Sequence, residues 1–328
     1  MVPTSKSPWS GVLLVLASAL PAGAADEPEV SADLDYSTTV EHPTYLSVHP
    51  TVRIDAAHNN YHTADGFYRP LANLLRSDGY EVLANDRPLS RAALEGVTVL
   101  VIANALPPTT PATGPTFTAD ELKVLREWVL GGGSLLLIAD HVPFGAASQS
   151  LAGQFNVHMG QGIVFDLPHS SGNPTFLLFD RQNDLLGTHP ILLGRNPAES
   201  VGRVVAFAGQ SLSTPPGATV LLRLGDTAYE AASQDALRKA LDALKQNGMR
   251  SDVFSANARR CEGNAQGVAL PFGRGRVVVV GEAALFSAQI LKMTQDGKPW
   301  EMRFGMNAPG NDDRQFVLNV LHWLSRVL

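Results

Sequence analysis

The sequence predicts an α/β fold with a mainly parallel central sheet, and three observations predict it. Gly132–His141, reading GGSLLLIADH, is an apolar run entered from glycines and left through an acid and a histidine. A run apolar at every position suits a strand covered by helices on both faces. Two strand–helix–strand passages fall within roughly 90 residues, the pattern of βαβ units. Phe316, Val320, Trp323 and Val327 keep an amphipathic helical period to the terminus, which suits a helix closing one face of the sheet.

Taken in order, Ala25–Pro50 is polar and reads as an irregular arm. Thr51–Ala57 reads as the first strand of the body. Phe67, Leu71, Leu74 and Leu75 mark the next helix face, with Pro70 near its start and Asp78-Gly79 at its end. Tyr80–Leu83 and Thr98–Ile102 are the next strands. The following helix has a complete start, with Thr118 and Glu121 as a capping box and Phe117 and Leu122 as its hydrophobic staple. Gly131 stops it, and Gly131–Gly133 permit a tight turn into the central strand.

Beyond that strand, Gly145–Gln154 has the length of a short helix and His158–Phe165 reads as a strand. Asn173–Pro197 lacks a period and is expected to form long loops at the rim of the sheet. Val201–Phe207 and Thr219–Leu224 read as strands. Ala232–Gln246 is helix-forming, with Leu237, Leu241 and Leu244 on one face. Val268–Pro271 and Arg276–Val280 flank Gly273–Gly275 as a hairpin or adjacent strands. Asp312 is placed to cap the last helix, with Gln315 at its third position.

Lys6, the apolar run Gly11–Leu20 and the small residues Pro21–Ala24 follow one another as in a secretory signal peptide, with cleavage beside Ala24 or Ala25. The apolar run is too short for a convincing membrane span, so no stable membrane insertion is expected after cleavage. The organisation is therefore read as a leader over 1–25, an arm over 26–50 and one α/β domain over 51–328, located in the periplasm or secreted. The 328 residues carry a net charge of -6, which becomes -7 on loss of Lys6. That mild acidity argues against a nucleic-acid partner. Cys261 is the only cysteine, so no intramolecular disulfide framework exists.

The candidate chemistry lies at strand ends, because open α/β sheets collect ligands beyond the carboxyl ends of their strands. Asp55, His58, Asn59 and His62 cluster after the first strand of the body, while Asp140, His141 and Glu282 follow later ones. His58, His141, Asp140 and Glu282 are the catalytic candidates, since imidazole and carboxyl groups exchange protons. Asp55, His58 and His62 offer two imidazoles and a carboxylate to a divalent metal such as zinc, although H-E-x-x-H spacing is absent. Asn59, Asn104 and Phe144 are candidate ligand contacts. The competing structural reading has the acids capping helices or accepting buried histidine protons. No G-x-G-x-x-G or G-x-x-x-x-G-K-[ST] pattern is present, so no nucleotide is expected. Trp128 and Trp323 fall in amphipathic helices, where packing explains them better than a carbohydrate platform does.

IDAAHNNYHTADGFYRPLANLL, SLLLIADHVPFGAA, GEAALFSAQ and MNAPGNDDRQFVLNVLHWL resemble segments of bacterial exported proteins of unknown function with a class I glutamine-amidotransferase-like, or ThuA-like, fold. The resemblance spans Thr51 to Leu328 and implies a flavodoxin-like three-layer sandwich. It stops at the catalytic centre. Amidotransferases place a cysteine nucleophile on the turn after a central strand, whereas this chain reads Ala139-Asp140-His141-Val142 there. Cys261 lies in a different, arginine-rich stretch, and fold analogy does not restore a missing nucleophile.

The expected function is hydrolysis of a small or carbohydrate-derived substrate by a histidine–carboxylate site, with metal assistance as one route. The alternative is a noncatalytic periplasmic ligand-binding or interaction protein. Export is directly testable: intact-mass analysis of periplasmic or secreted material should show a chain beginning at Ala25 or Asp26. Recovery of only the full-length species in the cytoplasm would count against a leader.

Overall fold

A computed structural model describes residues 29–108, 114–246, 257–261, 264–295 and 298–328. The expected leader lies outside them. The first half of the chain runs β1 (Glu29–Ala32), β2 (Thr51–Asp55), α1 (Arg69–Ser77), β3 (Glu81–Asn85), β4 (Val99–Ala103), α2 (Ala119–Leu130), β5 (Ser134–Ile138) and α3 (Phe144–Ala152). Next come β6 (Ile163–Phe165), β7 (Phe176–Asp180), α4 (Pro190–Leu193), β8 (Arg203–Phe207), β9 (Thr219–Arg223), β10 (Tyr229–Ala231) and α5 (Gln234–Gln246). The chain closes with β11 (Ala258–Arg260), β12 (Ala265–Phe272), β13 (Gly275–Val280), β14 (Ala288–Gln295), β15 (Lys298–Gly305) and α6 (Asp313–Leu324).

Among the described residues, seven strands form the main sheet in the order β3-β2-β4-β5-β13-β12-β9. The five from β3 to β13 are parallel, and β12 and β9 add antiparallel pairs at one side. The fold is thus mixed α/β with a mostly parallel sheet. Both β4 and β5 are buried at every position, because each face has its own core. Val99, Val101, Leu136, Ile138, Val278 and Val280 pack with Leu71 and Leu75 of α1 and Phe316 and Val320 of α6. Leu100, Ile102, Leu135, Leu137, Val277 and Val279 pack instead with Leu125 and Val129 of α2 and Leu151 of α3. The alternation by two along each strand delivers this division.

Several elements match the sequence reading closely. Thr118 and Glu121 form the complete capping box of α2, and α1 carries a proline in its first turn. Others need correction. The strand expected over His158–Phe165 shortens to β6, which joins β10 and β11 in a small side sheet. Asn173–Pro197 is not loop alone: it contains β7 and α4, and β7 pairs with β8 outside the main sheet. The hairpin of β14 and β15 was not visible in the sequence period, nor was β1, which pairs with β14.

One helix start is also tied differently from expectation. Asp312 makes no side-chain cap to α6; its Oδ2 accepts from the Gly202 and Arg203 amides at 2.8 and 2.9 Å. Asn311 Oδ1 accepts from Asp313 N at 3.1 Å in its place. The irregular arm is bound to the body. Ser77 Oγ accepts from Val40 N, Asp78 Oδ1 accepts from Thr44 N, and the Tyr45 hydroxyl donates to Ser325 Oγ.

Candidate functional site

Parallel register decides which side chains meet. Asp55 pairs across with Asn85 at the end of β3, while Ala103 and Val280 both lie opposite Ile138. The residues just beyond these strands, Asn104, Asp140 and Glu282, therefore share the carboxyl-end rim with Asp55. Asn104 is the joint. Its Oδ1 accepts from Asp140 N at 2.8 Å, its Nδ2 donates to His62 Nδ1 at 3.2 Å, and its carbonyl accepts from Tyr61 N at 3.0 Å. Its φ of 46°, in the left-handed region where asparagine is better tolerated than most side chains, turns the chain sharply after β4. Asn59, also left-handed at 45°, faces outward and donates from Nδ2 to the Pro107 carbonyl at 2.9 Å.

The three residues expected to hold a metal do not share a centre. His58 Nδ1 donates to Asp55 Oδ2 at 2.7 Å and Nε2 donates to Glu121 Oε1 at 3.0 Å. Two carboxylate acceptors require both ring nitrogens to carry protons, so the imidazole is cationic. Burial opposes that charge, but the hydrogen bonds and charges of Asp55 and Glu121 outweigh it and raise the His58 pKa. Glu121 is held in turn by Thr118 Oγ1 at 2.8 Å and by Leu89 N at 3.0 Å. His58 thus clamps β2 to the start of α2, with no nitrogen left for a metal or a substrate.

His62 occupies a separate site against Tyr68, with ring centroids 4.7 Å apart. Burial lowers its pKa to about 3, so it is neutral. Among the described residues no group of three or more histidine, cysteine, aspartate and glutamate side chains is arranged to hold a metal. The donor set does not fit the expected ion.

The carboxyls of the rim with raised pKa values are Asp140 and Glu282. Asp140 Oδ1 accepts from His141 N at 2.7 Å, and burial raises its pKa to about 8. Glu282 is fully buried, with Oε1 accepting from Ala284 N at 2.7 Å and Oε2 from Leu285 N at 2.8 Å. Burial and then the neighbouring Asp140 charge push its pKa upward, against these amides and that of Phe207. Two adjacent carboxyls out of water resist double ionisation, so the pair retains a proton at neutral pH. His141 Nδ1 donates to the Val142 carbonyl at 2.8 Å, which leaves Nε2 with the lone pair. Burial lowers its pKa to about 4, so it too is neutral.

The surroundings include Gln210 and Glu121, which sequence reasoning missed as partners, and Tyr68, which the sequence offers beside Tyr61 and Phe144 as a rim-pocket residue. Tyr68 is buried beneath the pair, its hydroxyl donating to the Ala283 carbonyl at 3.0 Å. Gln210 crosses the strand ends, donating from Nε2 to the carbonyls of Ala139 and Asp140 at 2.6 and 2.9 Å. Glu121 was legible as a cap but not as the second acid on His58. Phe144 is 1% exposed and packs near Tyr61, at 6.0 Å between ring centroids, so it forms wall rather than open surface. Cys261 is a buried thiol, its pKa raised by burial and by the Glu230 charge, and lacks the environment of a nucleophile.

No protein-family model and no curated protein sequence matches the chain. Among solved structures, the N-terminal domain of mmIFT52 is similar to it with a TM-score of 0.57 and 16% identity, over 84% of this chain and 97% of that one. That likeness shows the fold alone. A ThuA-like protein from Bacteroides uniformis matches with a TM-score of 0.41 and 11% identity, over 86% and 95% of the two chains. A second, from Parabacteroides merdae, matches with a TM-score of 0.39 and 10% identity, over 85% and 90%. Scores of this size carry no argument about activity.

The His58 clamp has a defined pH signature. Because its folded pKa is raised, its stabilisation is complete below the unfolded value of about 6.5 and is lost as pH rises through the folded value. His58→Gln should therefore lower unfolding free energy by about 2–4 kcal/mol near neutral pH and below, and by less in alkaline buffer. Urea unfolding at a series of pH values reads this directly; an equal loss at every pH would contradict the doubly paired cation.

Proposed function

We propose that the chain is an exported hydrolase of a small or carbohydrate-derived substrate, built as a flavodoxin-like three-layer sandwich, in which Asp140 supplies the proton. What supports this reading is the buried Asp140–Glu282 pair at the ends of adjacent parallel strands. Burial raises both carboxyls, Asp140 to about 8, which keeps a proton on Asp140 at neutral pH. A protonated carboxyl at neutral pH is a general acid. The Nε2 lone pair of neutral His141 is the complementary acceptor.

In the proposed step, water adds directly to the scissile centre while His141 Nε2 takes one of its protons. Asp140 gives its proton to the departing atom and becomes a carboxylate beside Glu282. Burial disfavours both that carboxylate and the His141 imidazolium, so the proton passes from His141 to Asp140, which restores the resting state. No covalent enzyme intermediate is required, consistent with a rim that lacks a cysteine or serine elbow. His58 takes no part in this scheme, and no metal is assigned to it.

One observation favours the alternative, noncatalytic ligand binding: Asp140 is only 7% exposed, His141 3% and Glu282 not at all. The two readings separate on one set of variants, tested against a panel of chromogenic glycosides and esters. For the substrate that turns over, Asp140→Asn should reduce kcat at least tenfold while the folded protein keeps its substrate affinity. Cys261→Ala should keep close to the wild-type rate. The wild-type rate should fall as pH rises through about 8, since the acid must be protonated. An undiminished rate in Asp140→Asn would overturn the acid assignment. Binding without turnover would replace the hydrolase by the binding protein.

A further inference from the structure

A cleft of about 820 Å³ adjoins this rim, with Val142, Gly160, Gly162, Tyr229, Glu230 and Arg259 among its lining residues. The two share a wall: Val142 follows His141 directly, and Gln161 N donates to Gln210 Oε1 at 2.8 Å. The floor of the cleft is Glu230, which is 2% exposed. Its Oε1 accepts from Gly162 N and Ser211 N, both at 3.1 Å, and its Oε2 accepts from Ser211 Oγ at 2.8 Å. A fourth donor is Arg259 Nη2, which also reaches the Gly160 carbonyl at 2.9 Å.

Glycine is needed where the chain passes this carboxylate. A Cβ on Gly160 would lie 2.2 Å from Glu230 Oε1, and one on Gly162 would lie 2.5 Å from the Ala231 carbonyl oxygen. The result is a guanidinium fixed at one nitrogen by a buried acid and open on its other side. The Arg259 side chain is 59% exposed, and its Nε and Nη1 have no protein partner among the described residues. Arg260 lies over the Tyr229 ring, 5.6 Å from its centroid. Val142, Ala146 and Ala258 supply apolar wall.

We propose that this cleft binds a small organic anion, a carboxylate or phosphate monoester attached to an apolar ring, with Arg259 as its anchor. The Nε and Nη1 N–H groups, on different edges of the guanidinium, are its free donors among the described residues, so the anion is held by the charge and by single hydrogen bonds. The ring then lies against the Val142–Ala146 wall. This assignment does not depend on acid–base chemistry at Asp140.

The test is calorimetric titration of the whole protein with benzoate and phenyl phosphate as probes and phenol as the neutral control. At least one anion should bind saturably in the millimolar range or tighter, and phenol should bind at least tenfold more weakly. Comparing benzoate with phenyl phosphate distinguishes a carboxylate site from a phosphate site. Arg259→Ala should weaken the bound anion at least tenfold, and Arg259→Lys several-fold, since an ammonium keeps the charge but loses the planar donors that Glu230 holds in place. Arg238→Ala, on exposed helical surface, should change nothing, and Asp140→Asn should leave anion binding intact. The proposal fails if neither anion binds, if phenol binds as well as they do, or if affinity survives in folded Arg259→Lys and Arg259→Ala proteins.

Discussion

Asp140 and Glu282 lie beyond neighbouring strands of a buried parallel sheet, and out of water the two carboxyls cannot both carry charge at ordinary cost. The register of β5 and β13, with Ile138 opposite Val280, sets their approach. Everything around them settles how that constraint is met. Backbone amides from Ala284, Leu285 and Phe207 serve Glu282, whereas among the described residues the Asp140 carboxyl accepts from the His141 amide. Burial nevertheless raises both carboxyls, Glu282 also through the Asp140 charge, so the pair keeps a proton at neutral pH. A third buried acid, Asp313, sits nearby with its pKa raised chiefly by burial, its Oδ1 accepting from Val205 N.

The rest of the rim holds that pair in place. Asn104 joins the ends of β4 and β5 to the loop after β2 through hydrogen bonds on three sides. Gln210 closes the strand ends from above by satisfying two carbonyls that no strand partner reaches. His58, seated between Asp55 and Glu121, ties β2 to α2. The histidine most suggestive of catalysis in the sequence is therefore a strut, and the proposed acid is the one beside the central strand.

Much of this was legible because the signals are local. The buried strand Ser134–Ile138, the capping box of α2 and the apolar face of α6 each follow from residues a few positions apart. The convergence of Asp55, Asn104, Asp140 and Glu282 was also legible, since parallel strands bring their carboxyl ends to one side. The partners were not. Glu121 meets His58 across 63 positions and Gln210 meets Ala139 across 71, separations that no periodicity encodes. Asp312 illustrates the same limit: its position before a helix suggested a cap, but the Gly202 and Arg203 amides compete for its carboxylate. Nor could spacing reveal that His58 and His62, four residues apart, turn to different neighbours, because their loop is shaped by Asn60 and Asn104 rather than by a helical period.

The account rests on a proton held at neutral pH by Asp140, and carbon-13 NMR of aspartate carboxyl groups observes it directly. With Asp140→Asn used to assign the resonance, the Asp140 carboxyl should remain protonated at neutral pH and titrate near a pKa of about 8. A resonance already ionised in the ordinary aspartate range, near pH 4, would contradict the account.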